Sequence, residues 1–279
     1  MGPILLRWRK HRRLNGQELG DLVGMSQAKI SRLENGRVPA EPGDVRLLAE
    51  ALGVPSAEAE RVIELVEHAD DRLLEWVPAA SSQAERQHEI SKAEGAAKEI
   101  RILQPAVVPG LLQTSEYARA ILSAHDQAGT DARGNDAAVT EAVIARMQRN
   151  QILHEPDRQF HFLITEQVLR AGVGRPAEMI SQIDRMREVA RFPNVRLSII
   201  TDGTMVPIPT YHGFFLADDH WVSVDLFTGT LRSTGRKIVR EYRKDFDALE
   251  SVAETDIDDL LDRYQARYAR MLLPNQVAG

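Results

Sequence analysis

The chain has 279 residues, 43% of them hydrophobic, so it can bury a real core in one or two domains; it has no cysteine, which excludes disulfides and cysteine-ligated zinc. Its net charge of −6 is unevenly spread: residues 1–46 hold nine Lys or Arg against five Asp or Glu, a net of +4 that leaves −10 for the rest. A basic head on an acidic body fits a nucleic-acid module joined to a body that avoids phosphates, and with no apolar run of membrane-span length and only Ile4–Leu6 as an N-terminal apolar run, a cytoplasmic protein without a signal peptide or membrane partner is expected.

Ile4 to Arg13 reads as a basic first helix, with Leu5, Leu6 and Arg9 near one face and Leu14 at its end. Arg7, Lys10, Arg12 and Arg13 are solvated charges or phosphate contacts. The stretch Asn15 to Arg37 then reads as two short helices and a tight turn. Asn15 caps the first, with Glu18 as its box partner. Leu19, Leu22 and Val23 make its apolar face, and Gly24 breaks it. Ser26 caps the second helix and Gly36 stops it. Ile30 and Leu33 point inward, while Gln27, Ala28, Ser31 and Arg32 share the opposite face. This is a helix-turn-helix, whose second helix, 26–35, can enter the DNA major groove. Gln suits adenine and Arg suits guanine there, so Gln27, Ala28, Ser31 and Arg32 are expected to read bases. Asn35, Arg37 and Lys29 are expected to meet the DNA backbone or to support the fold, and Arg13 and Asn15 to touch DNA on the same surface.

Two further helices, 44–52 and 56–69, complete a five-helix domain over residues 1–70, with Val62, Ile63, Leu65 and Val66 on the last apolar face. Residues 71–98, polar with Trp76 and a Pro78 break, read as a linker with helical pieces. The second domain is expected over 99–279. Ile100, Ile102, Val107 and Val108 suggest a short strand or two. A helix follows from near Glu116, then a Gly/Asp-rich loop at 123–136 and a helix at 137–153 with Val139, Val143, Ile144 and Met147 inside. Strands are expected at 159–165 and 195–201, an amphipathic helix at 176–191, and a hairpin from Gly213–Leu216 and Trp221–Phe227. Long helices at 233–251 and 256–272 precede a frayed tail, PNQVAG. The fold class is therefore mainly α, with a C-terminal α+β domain built on a small, mostly antiparallel sheet and long helices.

No constellation supports an enzyme. Gly172-Val173-Gly174 sits in the wrong context for a dinucleotide fingerprint, because no strand leads into it and the next helix opens with Pro176. The eight histidines show no metal spacing, and the aspartates at 256, 258, 259 and 262 crowd a helix start, where they complement its dipole. No cofactor or metal is expected. Tyr211, His212, Phe214, Phe215, Trp221 and Phe227 gather aromatics around the hairpin, either as core or as a ligand or partner surface.

The stretch QELGDLVGMSQAKISRLENGR, followed by DVRLLAEALGV at 44–54, resembles the Cro/repressor-type (Xre-like) helix-turn-helix regulators. The resemblance implies that Arg9 pairs with Glu34 behind the recognition helix. Gly16 departs from the family, which often has a glutamine there that braces this helix. VPGLLQT at 108–114 with YARA at 117–120 resembles the domain that follows such heads in many actinobacterial regulators. That implies a transcriptional regulator of double-stranded DNA, with a small-molecule effector or a small partner protein encoded nearby. Some relatives are antitoxin-like, which leaves open an interaction protein that sequesters its partner and autoregulates. Relatives of the head bind as dimers, and the amphipathic helices of the body offer more apolar surface than the head, so a homodimer held by residues beyond about 70 is expected.

Overall fold

The computed structural model describes residues 2–38, 40–71, 74–78, 83–127 and 136–273. It divides into two compact units: Met1–Leu73 with Gly235–Lys237, and Leu74–Thr234 with Ile238–Gly279.

The first unit is a five-helix bundle: α1 (Gly2–His11), α2 (Gly16–Val23), α3 (Gln27–Glu34), α4 (Pro42–Ala51) and α5 (Ser56–Asp71). Local chemistry sets the boundaries. The Asn15 side chain accepts from the Gln17 and Glu18 amides at 2.9 Å, and Glu18 accepts from Asn15 N at 2.7 Å, closing a capping box. Gly24 ends α2 in the left-handed region at φ 68°, where a side chain would be strained. Ser26 Oγ accepts from Lys29 N at 3.2 Å and opens α3. The turn between the two helices is tight because α2 presents Gly20 to it; a Cβ there would lie 2.3 Å from Met25 O. Leu5, Trp8, Leu19, Ile30, Leu33, Val45, Leu48, Leu52, Val62 and Ile63 fill the core. Trp8, not anticipated as core, anchors its ring by donating from Nε1 to Glu58 Oε1 at 2.9 Å. Leu22 and Leu65, expected on apolar faces, are exposed.

The second unit is built on a seven-stranded mixed sheet in the order β1-β7-β6-β5-β2-β3-β4. In chain order its elements are β1 (Leu74–Pro78), α6 (Gln83–Ala96), β2 (Glu99–Gln104), α7 (Ser115–Gln127), α8 (Asp136–Arg149) and β3 (Gln159–Thr165). They continue with α9 (Gln167–Arg170), α10 (Pro176–Ala190), β4 (Val195–Ile200), β5 (Phe214–Ala217), β6 (Trp221–Leu226), β7 (Gly229–Ser233), α11 (Arg236–Glu250) and α12 (Asp258–Leu272). β2, β3 and β4 run parallel; every other pairing is antiparallel. Parallel neighbours need helical crossovers, which α7 to α10 supply. The sheet is thus mostly antiparallel but larger than the small one expected, because β1 and β7 extend it.

The helical linker expected over 71–98 is corrected by this topology. Leu74–Pro78 pairs along its length with β7, and α6 packs on α8 with Gln87 and Glu94 buried, so both belong to the second unit. The second domain starts before residue 99 for the same reason. Of the strand or two suggested near 100–108, only β2 forms. The loop expected over 123–136 begins later, since α7 runs to Gln127; its centre at 128–135 and the tail at 274–279 lie outside the described residues.

One sheet face carries Ile100, Ile102, Phe160, Phe162, Ile164, Leu197 and Ile199 and packs against α10 and α12 through Met179, Ile183, Met186, Leu261, Tyr264 and Tyr268. The other carries Leu103, Leu163, Ile200, Phe214, Leu216, Val222 and Val224 against Val239, Phe246 and Leu249 of α11. The VPGLLQT phrase locks onto the first layer. Val108 N donates to Tyr117 Oη at 3.1 Å, and Gln182 of α10 spans Leu112 O and Thr114 N at 2.8 Å each. Burial, outweighing that hydrogen bond, pushes the Tyr117 phenol up to about 12. Ile144, expected inside α8, is exposed, while Val139, Ala142 and Val143 face α7.

Candidate nucleic-acid interface

The outer face of α3 is made by the residues its inner face excludes. Ile30 and Leu33 are buried, so positions near 100° and 200° away turn outward: Gln27, Ala28 and Arg32 are exposed and Ser31 is half-buried. Arg32 Nε donates to Ala28 O of its own helix at 3.2 Å. Asn35 Nδ2 donates to Ser31 O at 2.8 Å and reaches Ser31 Oγ at 3.3 Å, closing the C-terminal turn. Gly36, at φ 63°, carries the chain to the exposed Arg37.

Gln27 leans back toward α2. A Cβ at Gly16 would lie 3.4 Å from Gln27 Cγ and 3.6 Å from its Nε2. The position where the resembling family often carries a glutamine is therefore the one that abuts the first reading residue, and glycine leaves Gln27 the space.

Arg9 and Glu34 fix α3 from behind. Arg9 Nε and Nη2 donate to Glu34 Oε1 and Oε2 at 2.6 and 2.7 Å, and Nη1 donates to Leu14 O at 2.9 Å. The side chains are 15% and 8% exposed. The hydrogen bonds to Glu34 outweigh burial and hold the Arg9 guanidinium above its ordinary value. One group thus ties α1, the entry to α2 and the end of α3 together.

Lys29 supports the fold. Its Nζ donates to Asp44 Oδ1 of α4 at 2.8 Å, in a half-buried contact that pins α3 to α4. Asn15 is exposed, but its side-chain oxygen is taken by the cap of α2. Arg13 is exposed and at φ 57°, just past the end of α1.

The aromatics around the hairpin divide between core and surface rather than forming one patch. Phe214 is buried under α11, stacked edge-on against Tyr242 at 4.9 Å and Phe246 at 6.3 Å, with His212 at its rim. Phe215 and Trp221, on the opposite sheet face, pack together at 5.0 Å. Tyr211 and Phe227 are exposed, on two separate loops. Strand alternation has sorted neighbours in sequence to different layers. The aspartates at the start of α12 are likewise accounted for: Asp258 and Asp262 pair with Arg187 of α10. Among the described residues no group of His, Asp or Glu side chains could hold a metal ion, and no helix is long and apolar enough to cross a membrane.

Comparison with known proteins agrees with this division. Residues 4–62 match the helix-turn-helix domain model. No curated protein matches the chain. A solved structure described as "Structure of TrmBL2, an archaeal chromatin protein, shows a novel mode of DNA binding" is 10% identical, covering 87% of this chain and 88% of that one at a TM-score of 0.32, too slight a likeness to carry an argument. Residues 87–258, more than half the chain, match the model described as "Domain of unknown function (DUF5753)", and the chain belongs to that family.

Proposed function

We propose that the protein is a sequence-specific DNA-binding transcriptional regulator, a binding protein rather than an enzyme, that reads its operator through α3. The observation that carries this is the exposed face of Gln27, Ala28 and Arg32 on a helix held rigidly from behind by the Arg9–Glu34 pair. Rigid backing matters because base readout needs side chains delivered in register with the groove. Arg37, Asn35 and Arg13 flank that face and suit phosphate oxygens. A single eight-residue recognition helix buries too little surface for tight, selective binding alone, so the reading includes a homodimer held by the second unit, which also receives the regulatory input, a small molecule or a partner protein.

The test is a gel-shift series with full-length protein on its own upstream DNA and on operator variants. Arg32→Ala should lose about 1–3 kcal/mol of preference at one base position. Arg37→Ala should weaken all sequences alike and reduce the salt slope by about one unit. If Arg32→Ala weakens every variant equally, Arg32 is a phosphate contact and α3 is not the reader at that position. Sedimentation of the full chain at micromolar concentration should give a dimer; a monomer removes that part of the reading.

A further inference from the structure

Gln113, in the VPGLLQT phrase, is buried and reaches across to α8. Its amide nitrogen donates to Val108 O at 2.8 Å, and its side-chain oxygen accepts from Arg146 Nη1 at 2.6 Å. Arg146 Nε donates to Gln87 Oε1 of α6 at 3.1 Å, and Arg149 Nη1 donates to the same oxygen. Arg149 then forms a bidentate pair with Glu94, at 2.9 and 2.5 Å, with the two side chains 6% and 2% exposed. Two guanidiniums one turn apart on α8 therefore lie beside one carboxylate, and Arg149 takes both of its oxygens. Among the described residues Arg146 bonds only to two neutral amide oxygens. Nearby Arg86 adds a third cation, paired with Asp225 at 2.9 Å, and the carboxylates of Asp225 and Glu94 offset part of the charge around Arg146.

Two atoms of this cluster are also unmatched. Gln87 Nε2, on a side chain only 1% exposed, and Asn150 Oδ1 are buried and meet no hydrogen-bond partner among the described residues. A buried donor without an acceptor costs free energy, and the three guanidiniums of Arg86, Arg146 and Arg149 against the two carboxylates of Glu94 and Asp225 leave one positive charge in excess. Burial, followed by the charges of Arg149 and Arg86, pushes the Arg146 guanidinium down to about 10. Arg146 is half-buried, and among the described residues its Nη2 makes no hydrogen bond while Nε and Nη1 are taken. A guanidinium nitrogen left unbonded beside an unused amide donor suits a planar or tetrahedral oxyanion.

We propose that Arg146, with the amide nitrogen of Gln87 beside it, binds a small oxyanion, a carboxylate or a phosphate group, where α6, α8 and the VPGLLQT turn meet. This gives the small-molecule input of the regulator a chemical class. It rests on that reading for its biological meaning alone, since binding is measured without DNA.

The experiment titrates full-length protein with inorganic phosphate and, separately, with acetate, at ionic strength held constant with chloride, and follows thermal unfolding and heat of binding. A saturable upward shift with either anion is expected, and the stronger of the two identifies the phosphate or carboxylate source. Arg146→Met should weaken binding at least tenfold. Arg146→Lys, which keeps the charge but loses the fork, should weaken it severalfold. The proposal is overturned if neither anion gives a saturable response, or if Arg146→Met binds as the unaltered protein does. Should Arg146→Met fail to fold, unchanged affinity in Arg146→Lys overturns it equally. Gel-shift results do not enter, so this outcome and the DNA-binding outcome are read apart.

Discussion

Each unit is braced by a bidentate arginine–glutamate pair, and the two pairs differ in what surrounds them. In the helical unit Arg9 and Glu34 form a closed set: one cation, one anion, and a third guanidinium donor satisfied by Leu14 O. In the mixed unit Arg149 and Glu94 are more deeply buried but share Gln87 with a second cation, Arg146. A closed pair acts as a brace that holds α3 against α1. An open one leaves charge uncompensated and so marks a place where something else can bind. Deep burial alone does not separate these roles; the count of partners does.

Glu94→Gln is the largest lever on this comparison. It keeps the shape but leaves Arg149 and Arg146 adjacent with no carboxylate bonded to either, and breaking a buried pair from one side costs about 3–5 kcal/mol. Urea denaturation of the full chain, with hydrogen exchange along α6 and α8, reads that loss. Glu34→Gln should cost less, about 1.5–3 kcal/mol for a charged hydrogen bond. It should appear as faster exchange in α1 and α3 while the sheet strands are unchanged. If Glu34→Gln proves the more damaging, the closed pair is the more strongly coupled one and the comparison reverses.

The helical unit was the more legible in sequence because its determinants are local. The Asn15 capping box, Ser26 and Gly24 act within four residues and could be read directly. The Arg9–Glu34 pair, 25 residues apart, came from a family resemblance and not from spacing. Periodicity failed where it had to say which neighbour of an apolar stripe turns inward: Leu22, Leu65 and Ile144 fit their stripes yet are exposed, because the packing partner decides the arc that is covered. In the second unit, β1 escaped notice since a five-residue strand in polar surroundings gains its identity from β7, some 155 residues on, an offset read from the Leu74↔Ser233 and Pro78↔Gly229 registers. β7 itself carries little but Leu231 as an apolar signal. Nothing local in the sequence marks Gln87, Glu94 and Arg149, and only the packing of α6 on α8 buries them. For the aromatics, composition leaves core and surface open, and alternation divides them: adjacent residues of a strand, Phe214 and Phe215, face opposite ways.

The smallest expected effect concerns pH and a third charge cluster, which tests whether partner count also governs titration. Glu99 lies under α11 on the sheet face that bears Arg101 and His161, and Glu250 is the last residue of α11 itself. Glu99 accepts from Arg101 Nη2 at 3.0 Å and Arg243 Nη2 at 2.8 Å, and Glu250 lies 3.2 Å from His161 Nδ1. Burial works to raise both carboxyls. The bonds and charges of Arg101 and Arg243 on Glu99, and those of His161, Arg196 and Arg101 on Glu250, outweigh it, so both fall below the ordinary 4.5. A carboxyl whose folded pKa is depressed contributes stability that is fully present above its unfolded value and is lost as pH falls through the folded one. The melting temperature should therefore hold from neutral pH down to about 5 as far as these groups are concerned, then decline below 4.5, with exchange in α11 rising first. Other carboxylates titrate in the same window, so the decisive measurement is the double variant Glu99→Gln with Glu250→Gln at constant ionic strength. It should start less stable at pH 7 and lose less on acidification than the unaltered chain. Parallel curves for the two proteins would show that the α11 layer does not depend on these carboxylates being charged.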